Sequence, residues 1–257
     1  MKKNYIRSLS IVLINVLTLF ALMVFWGKRM DPLNIVQWGT LTVIGAVLQT
    51  VSILLFYKYV DKKSFSTLRL KLNRKDVLFS ILSVLLTAVM VLIYLFQAAK
   101  VDQFSVEWNL AVFSNVTFYL LLLLAAFAWF QAALTEEVLF RWYLVTNLDH
   151  LSTIKLYLIT SLFFMLSHVF KGFDPIYILF LLTTSCSLLY VYLRSGRKLM
   201  PVTFAHMAQN LTINHLIGPS DIAILQFTTE PSIIHLIALF ILYNALIIGL
   251  STMIYRK

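Results

Sequence analysis

Two carboxylates stand side by side in an apolar run. Glu136-Glu137 lie within residues 119–145, and Arg141 follows four positions after Glu137. Placing an ionised carboxylate in hydrocarbon costs on the order of several kcal/mol, so acids in membrane segments face a protein interior and do work there. Two further apolar runs carry polar groups. One holds His168, in Phe164-Met165-Leu166-Ser167-His168, and the other holds His206 and Asn210, in His206-Met207-Ala208-Gln209-Asn210. A carboxylate, two imidazoles and an amide can activate water and steady an oxyanion, which is the equipment of amide hydrolysis without a covalent intermediate.

Spacing assigns expected roles. Glu137 and Arg141 are i,i+4 neighbours on one helical face and can pair, which offsets the burial of both charges. Glu136 points about 100° away and is the freer carboxylate, suited to act as a general base. His206 and Asn210 are also i,i+4, so imidazole and amide project together toward a developing oxyanion. His168 is placed to orient or share the proton of a water held by Glu136, with Phe164 one turn earlier lining the pocket. Helical rise puts Glu136, His206 and Asn210 about 9–15 Å, and His168 about 20 Å, from the cytoplasmic ends of their helices, near one level. Ser167 is next to His168, but adjacent residues of a helix do not face each other, so no Ser nucleophile is expected. Cys186, the single cysteine, has no partner on its own helix and excludes an intrachain disulfide. His150, His215 and His235 read as loop, interface or structural residues.

The elements that must position these groups follow from composition. Of 257 residues, 60% are hydrophobic and 12% charged, and the mean hydropathy is +0.86. Soluble domains carry about 25% charged residues, so the bilayer is the solvent here. With few Gly and Pro and no alternating ten-residue segments of a membrane barrel, the expected fold is all-α: a polytopic membrane helix bundle. Apolar stretches of spanning length fall near 8–26, 36–57, 77–99, 118–146, 155–170, 175–193, 200–218 and 232–254, about eight transmembrane helices. The first is expected to be a retained anchor.

The net charge of +10 does not point to nucleic acid, because the bases cluster in short segments between spans. That is a topology signal, and it favours anionic membrane lipid. Lys2, Lys3, Arg7, the 58–76 segment, Arg194, Arg197, Lys198 and Arg256-Lys257 alternate with base-poor segments holding Asp31, Asp102, Glu107, Asp174, Asp221 and Glu230. Both termini are therefore expected in the cytoplasm of a multi-pass protein of the cell membrane. Residues 58–76 read as an amphipathic surface segment. No repeat or linker divides the chain, so 1–257 is expected to be a single integral-membrane domain.

Taken in order, Glu136-Glu137-x-x-x-Arg141, Phe164-x-x-x-His168 and His206-x-x-x-Asn210 resemble the three motifs of the CPBP family, the CAAX-processing and bacteriocin-processing or self-immunity proteins also called Abi. The resemblance covers a core of about 119–215. It implies an all-helical bundle of about eight spans and intramembrane endopeptidase activity. Glu136 and His168 would activate water, and His206 and Asn210 would form the oxyanion site. It further implies a metal-free glutamate mechanism. Zinc held by two His and a Glu is chemically reasonable but disfavoured, since there is no His-Glu-x-x-His helix. The layout resembles a Gram-positive bacterial member, so bacteriocin self-immunity or peptide processing is expected ahead of CAAX processing. The substrate would be a peptide or protein, with a bacteriocin or its receptor as candidates. Two other readings are a non-proteolytic immunity protein that acts by binding the bacteriocin or its receptor, and a proton-coupled carrier, for which neither half-to-half symmetry nor paired broken helices speak.

Overall fold

A computed structural model describes residues 2–27, 34–102, 106–168, 174–217, 220, 222–227 and 233–256. It is 83% helical. The helices are α1 (Lys2–Gly27), α2 (Ile35–Leu55), α3 (Arg74–Asp102), α4 (Val116–Glu137), α5 (Leu144–Asn147), α6 (Thr153–Ser167), α7 (Pro175–Arg194), α8 (Leu199–Leu211) and α9 (Ile233–Ile254). Among the described residues, four helical stretches are long and apolar enough to cross a membrane: Tyr5–Leu22, Ile35–Val60, Val116–Asn147 and Pro175–Arg194. The all-α expectation holds at that level. Asp31, Asp221 and Glu230 lie outside the described residues.

Local chemistry starts these helices where the sequence changes character. Asn34 accepts from the backbone N–H groups of Val36 and Gln37, and Asn115 from that of Thr117. Asp174 accepts from Ile176 and Tyr177, with Pro175 in the first helical turn, where a missing N–H costs nothing. Asn73 and Asp76 cap α3 reciprocally: Asp76 N–H donates to Asn73 Oδ1 at 3.0 Å, and Asn73 N–H donates to Asp76 Oδ2 at 2.7 Å.

Helix α4 packs between α2 and α8, α3 lies against α8 and α9, and α7 lies against α6 and α9. The α2–α4 contact is close because α2 offers small residues. A Cβ at Gly39 would come within 3.1 Å of Leu124 Cγ, and Thr135 Oγ1 donates to the Ala46 carbonyl at 2.9 Å. Small residues and side-chain hydroxyls are what bring helices together when lipid removes the hydrophobic drive. Along α4 the environment changes. Leu120, Leu123 and Phe127 are exposed on the outer surface, whereas from Glu137 to Leu148 every residue but Thr146 is buried. That buried stretch includes a π-helical turn, Val138–Tyr143, joining α4 to α5. Such widened turns often accompany functional sites.

The basic segments meet at one end of the bundle. Arg7 pairs with Asp61 at 3.4 Å, Arg69 Nη1 donates to Gly196 O at 2.8 Å, and Lys75 Nζ donates to Arg256 O at 3.3 Å. The 58–76 segment is on the surface, but it is an irregular strap rather than a regular amphipathic element. It is pinned by Trp142 Nε1, which donates to Thr67 Oγ1 at 3.0 Å, and by a Lys63–Asn147 hydrogen bond. At the other end, β1 (Val106–Trp108) and β2 (Leu225–Phe227) pair antiparallel, with Glu107 opposite Gln226. No local pattern signals this ladder, because three residues are too few to display a period of two.

Candidate active site

The site is assembled where the buried end of α4 meets α6, α7 and α8. Glu137 has no exposed side-chain surface. Its Oε2 lies 3.1 Å from Arg141 Nε, and its Oε1 lies 2.8 Å from His206 Nδ1 on α8. Arg141 is also fully buried, and its Nη2 donates to Ser185 O on α7 at 3.3 Å. The guanidinium sits over the Phe164 ring, 4.8 Å from its centroid, a favourable arrangement for a desolvated cation. The Phe164 ring is also near His168, Phe140 and His206, with centroid separations of 4.7, 5.2 and 6.1 Å.

Glu136 faces the other way and keeps 27% of its side chain exposed. Two imidazoles aim at one of its oxygens: His168 Nε2 is 3.9 Å from Glu136 Oε2, and His206 Nε2 is 3.8 Å from the same atom. The far nitrogen of each ring is committed. His168 Nδ1 is 2.8 Å from Phe164 O. A carbonyl only accepts, so that nitrogen carries a hydrogen. His206 Nδ1 likewise donates to the Glu137 carboxylate. Each Nε2 therefore presents a lone pair when its ring is neutral, and donates only when the ring is an imidazolium. Paired with Arg141, Glu137 still offers His206 a carboxylate oxygen, which fixes the orientation of the ring. A group that reaches both Glu136 and the two Nε2 atoms would meet proton acceptors on one side and, with His206 protonated, a donor on the other.

Of the residues singled out from sequence, Glu136, Glu137, Arg141, Phe164, His168 and His206 come together. Asn210 lies one turn beyond His206 on α8 and is half-buried. Among the described residues its side-chain amide makes no hydrogen bond to this cluster, and its backbone O accepts from Asn214 Nδ2 at 2.7 Å. His168 departs from expectation. It is not inside a helix but is the C-cap of α6, with φ −101° and ψ 5°. That non-helical backbone folds the ring back over its own helix end. Ser167 Oγ consequently lies 3.1 Å from His168 Nδ1, a contact the helical rule ruled out. Ser167 Oγ also donates to Phe164 O at 2.7 Å, which ties it into the helix end.

Ser185 was not foreseen, nor was the bond from His206 to Glu137. Each contact joins residues far apart in the chain, and nothing in the local sequence signals either one. Cys186 contacts Ser161 Oγ at 3.3 Å, away from the cluster. His150 packs edge-on against Tyr5 with ring centroids 5.8 Å apart. His215 packs against Trp38 at 4.4 Å. The side chain of His235 lies outside the described residues. Among the described residues no set of three His, Cys, Asp or Glu is arranged to hold a metal ion.

Residues 115–212 match a protein-family model described as Rce1-like, type II CAAX prenyl endopeptidase. No curated protein matches the chain. This segment contains every residue of the cluster, so the likeness to the CPBP/CAAX proteases, a family of membrane-embedded peptide hydrolases, falls on the part of the chain that carries the site.

Proposed function

We propose that this member of the CAAX protease family is an intramembrane endopeptidase in which Glu136 and His168 activate water and His206 and Asn210 steady the oxyanion. The observation that carries the reading is the convergence of two imidazole Nε2 atoms on one Glu136 oxygen, at 3.8 and 3.9 Å, with the other nitrogen of each ring already held. A water between Glu136 and His168 gives a proton to the carboxylate as its oxygen attacks the peptide carbonyl. The carbonyl electrons move onto oxygen, and the imidazolium Nε2–H of His206 donates to that oxyanion. The Asn210 amide turns to add a second donor once a peptide fills the space. The proton on Glu136 then passes to the amide nitrogen as the C–N bond breaks. Glu137 and Arg141 hold the His206 ring in place, and Phe164 orients His168.

No step in this reading uses a metal, so cleavage is expected to persist in excess chelator. The protein is a single multi-pass domain of the cell membrane, with about eight spans and both termini in the cytoplasm. The grouping of Arg7, Arg69, Lys75 and Lys198 at one end of the bundle supports that orientation. Its resemblance to bacterial members favours bacteriocin self-immunity or peptide processing.

The test replaces Glu136, His168 or His206 by Ala and scores peptide cleavage in proteoliposomes together with protection of cells from a bacteriocin. Loss of both is expected. Cleavage that survives in well-inserted variants would end the hydrolytic reading. Protection that survives without cleavage would favour an immunity protein that acts by binding.

A further inference from the structure

Two turns along α4 from Glu136, on the side away from the basic end, lies a second group of buried polar atoms that the proposed hydrolysis does not use. Trp129 precedes Glu136 by seven residues, so it projects from the same face of α4 about 10 Å farther along the axis. Between the two lie Ala132 and Ala133, which leave little side chain on that face. His215 stands in the π-helical turn Thr212–Leu216 that continues α8 past Asn210, and it is 7% exposed. Trp38 of α2 completes a triangle of rings: Trp38–His215 at 4.4 Å, Trp38–Trp129 at 5.0 Å and Trp129–His215 at 6.0 Å between centroids.

The rings fix each other, but their polar atoms are not satisfied. Trp129 Nε1 and His215 Nε2 are both buried, and neither has a hydrogen-bond partner among the described residues. The other nitrogen of His215, Nδ1, lies 3.5 Å from Ser220 Oγ. A buried polar group left without a partner is costly, so a lasting pair of them signals a group that arrives from outside. The indole N–H can only donate. The imidazole nitrogen accepts in the tautomer that gives its Nδ1 hydrogen to Ser220. One donor beside one acceptor is the complement of a peptide unit, which offers a C=O and an N–H. An extended peptide advances about 3.3–3.6 Å per residue, so a chain cut at Glu136 would bring its third or so residue to this level.

We infer that Trp129 and His215 form a subsite that hydrogen-bonds a backbone amide of the peptide substrate, about three residues from the scissile bond, on the side toward the β1–β2 end of the bundle. This rests on the endopeptidase reading and adds to it the direction from which the peptide enters.

The probe is a fluorogenic decapeptide chosen from a mixed-sequence library for cleavage by the wild-type protein. Trp129→Phe keeps the ring and removes the N–H; His215→Phe removes the nitrogen. Each is expected to raise KM about three- to tenfold, the worth of one hydrogen bond, and to leave kcat unchanged. His215→Gln should restore KM in part. Replacing each peptide amide in turn by an ester should raise KM at one position near the third residue from the cut, and that effect should vanish in Trp129→Phe. An unchanged KM, a loss confined to kcat, or a flat ester scan would overturn the proposal and leave the two groups holding water alone.

A second measurement needs no cleavage. With p-benzoylphenylalanine in place of Trp129 in a Glu136→Gln background, the peptides should crosslink more strongly than from the exposed position of Tyr119. Equal crosslinking would overturn the subsite. Cleavage surviving in Glu136→Gln would instead sink the hydrolytic reading, while the crosslink result would still decide the subsite.

Discussion

Two of the acidic centres that the bundle buries, one at the basic end around Asp76 and one among the helices around Glu136 and Glu137, are built differently. Both oxygens of Asp76 meet donors: Lys198 Nζ at 2.5 Å and the Asn73 N–H at 2.7 Å on Oδ2, and the Tyr255 hydroxyl at 3.2 Å on Oδ1. These partners come from the start of α3, the α7–α8 turn and the end of α9, so one carboxylate clasps three parts of the chain. Within the inner cluster, Glu137 resembles Asp76, fully buried between Arg141 and His206. Glu136 does not. It stays partly exposed and faces two imidazole nitrogens across 3.8 and 3.9 Å, more than a hydrogen bond and enough for a small molecule to engage them both. A carboxylate closed by donors holds structure, whereas one held at a stand-off from basic nitrogens is arranged for a proton to pass.

That contrast can be broken by substitution. Glu136→Gln should lower kcat by about 10²–10⁴-fold, the usual worth of a general base, and leave thermal unfolding in detergent micelles nearly unchanged. A large loss of stability there would make Glu136 a structural residue like Asp76. Glu137→Ala strands a buried guanidinium and should cost about 3–5 kcal/mol of stability, seen as a large drop in Tm. Cleavage would fall too, because His206 loses the carboxylate that orients its ring.

Asp76→Asn should cost about 2 kcal/mol, since bonds to a charged acceptor are lost or weakened, while kcat per folded molecule stays at the wild-type level. A fall in kcat would mean that the basic end and the inner cluster are coupled. The smallest effect concerns Tyr255, whose hydroxyl is pushed well above the usual tyrosine range by burial first and by the neighbouring Asp76 second. The folded state favours the protonated phenol, so its contribution is complete below about pH 10 and is lost as the pH rises above that. Tyr255→Phe should flatten this alkaline limb of the stability profile. An unchanged limb would remove Tyr255 from the clasp.

The helices were legible because their signals are local. Runs of apolar residues near spanning length marked most of their ends to within a few residues. The Glu137–Arg141 pair was legible for the same reason, as a property of one helix. His168 was identified as a site residue but misplaced, since the sequence does not show that α6 ends at Ser167 and lets the ring turn back. The strap at 58–76 was read as a surface segment, but its attachment depends on Trp142 and Asn147, many residues away.

By itself the sequence determined that this chain is a helical membrane protein and which polar side chains stand in its apolar runs. Burying charge in an apolar run is costly enough that only groups with a task persist there. The tertiary structure alone decided which nitrogen of each histidine is turned toward Glu136, because Glu137 on α4 and a carbonyl at the end of α6 take up the other one. It also separated the two adjacent glutamates into one that is enclosed and one that is presented. That outcome depends on which faces of α4 meet α7 and α8, and helix packing across long stretches of chain is not written in any local pattern.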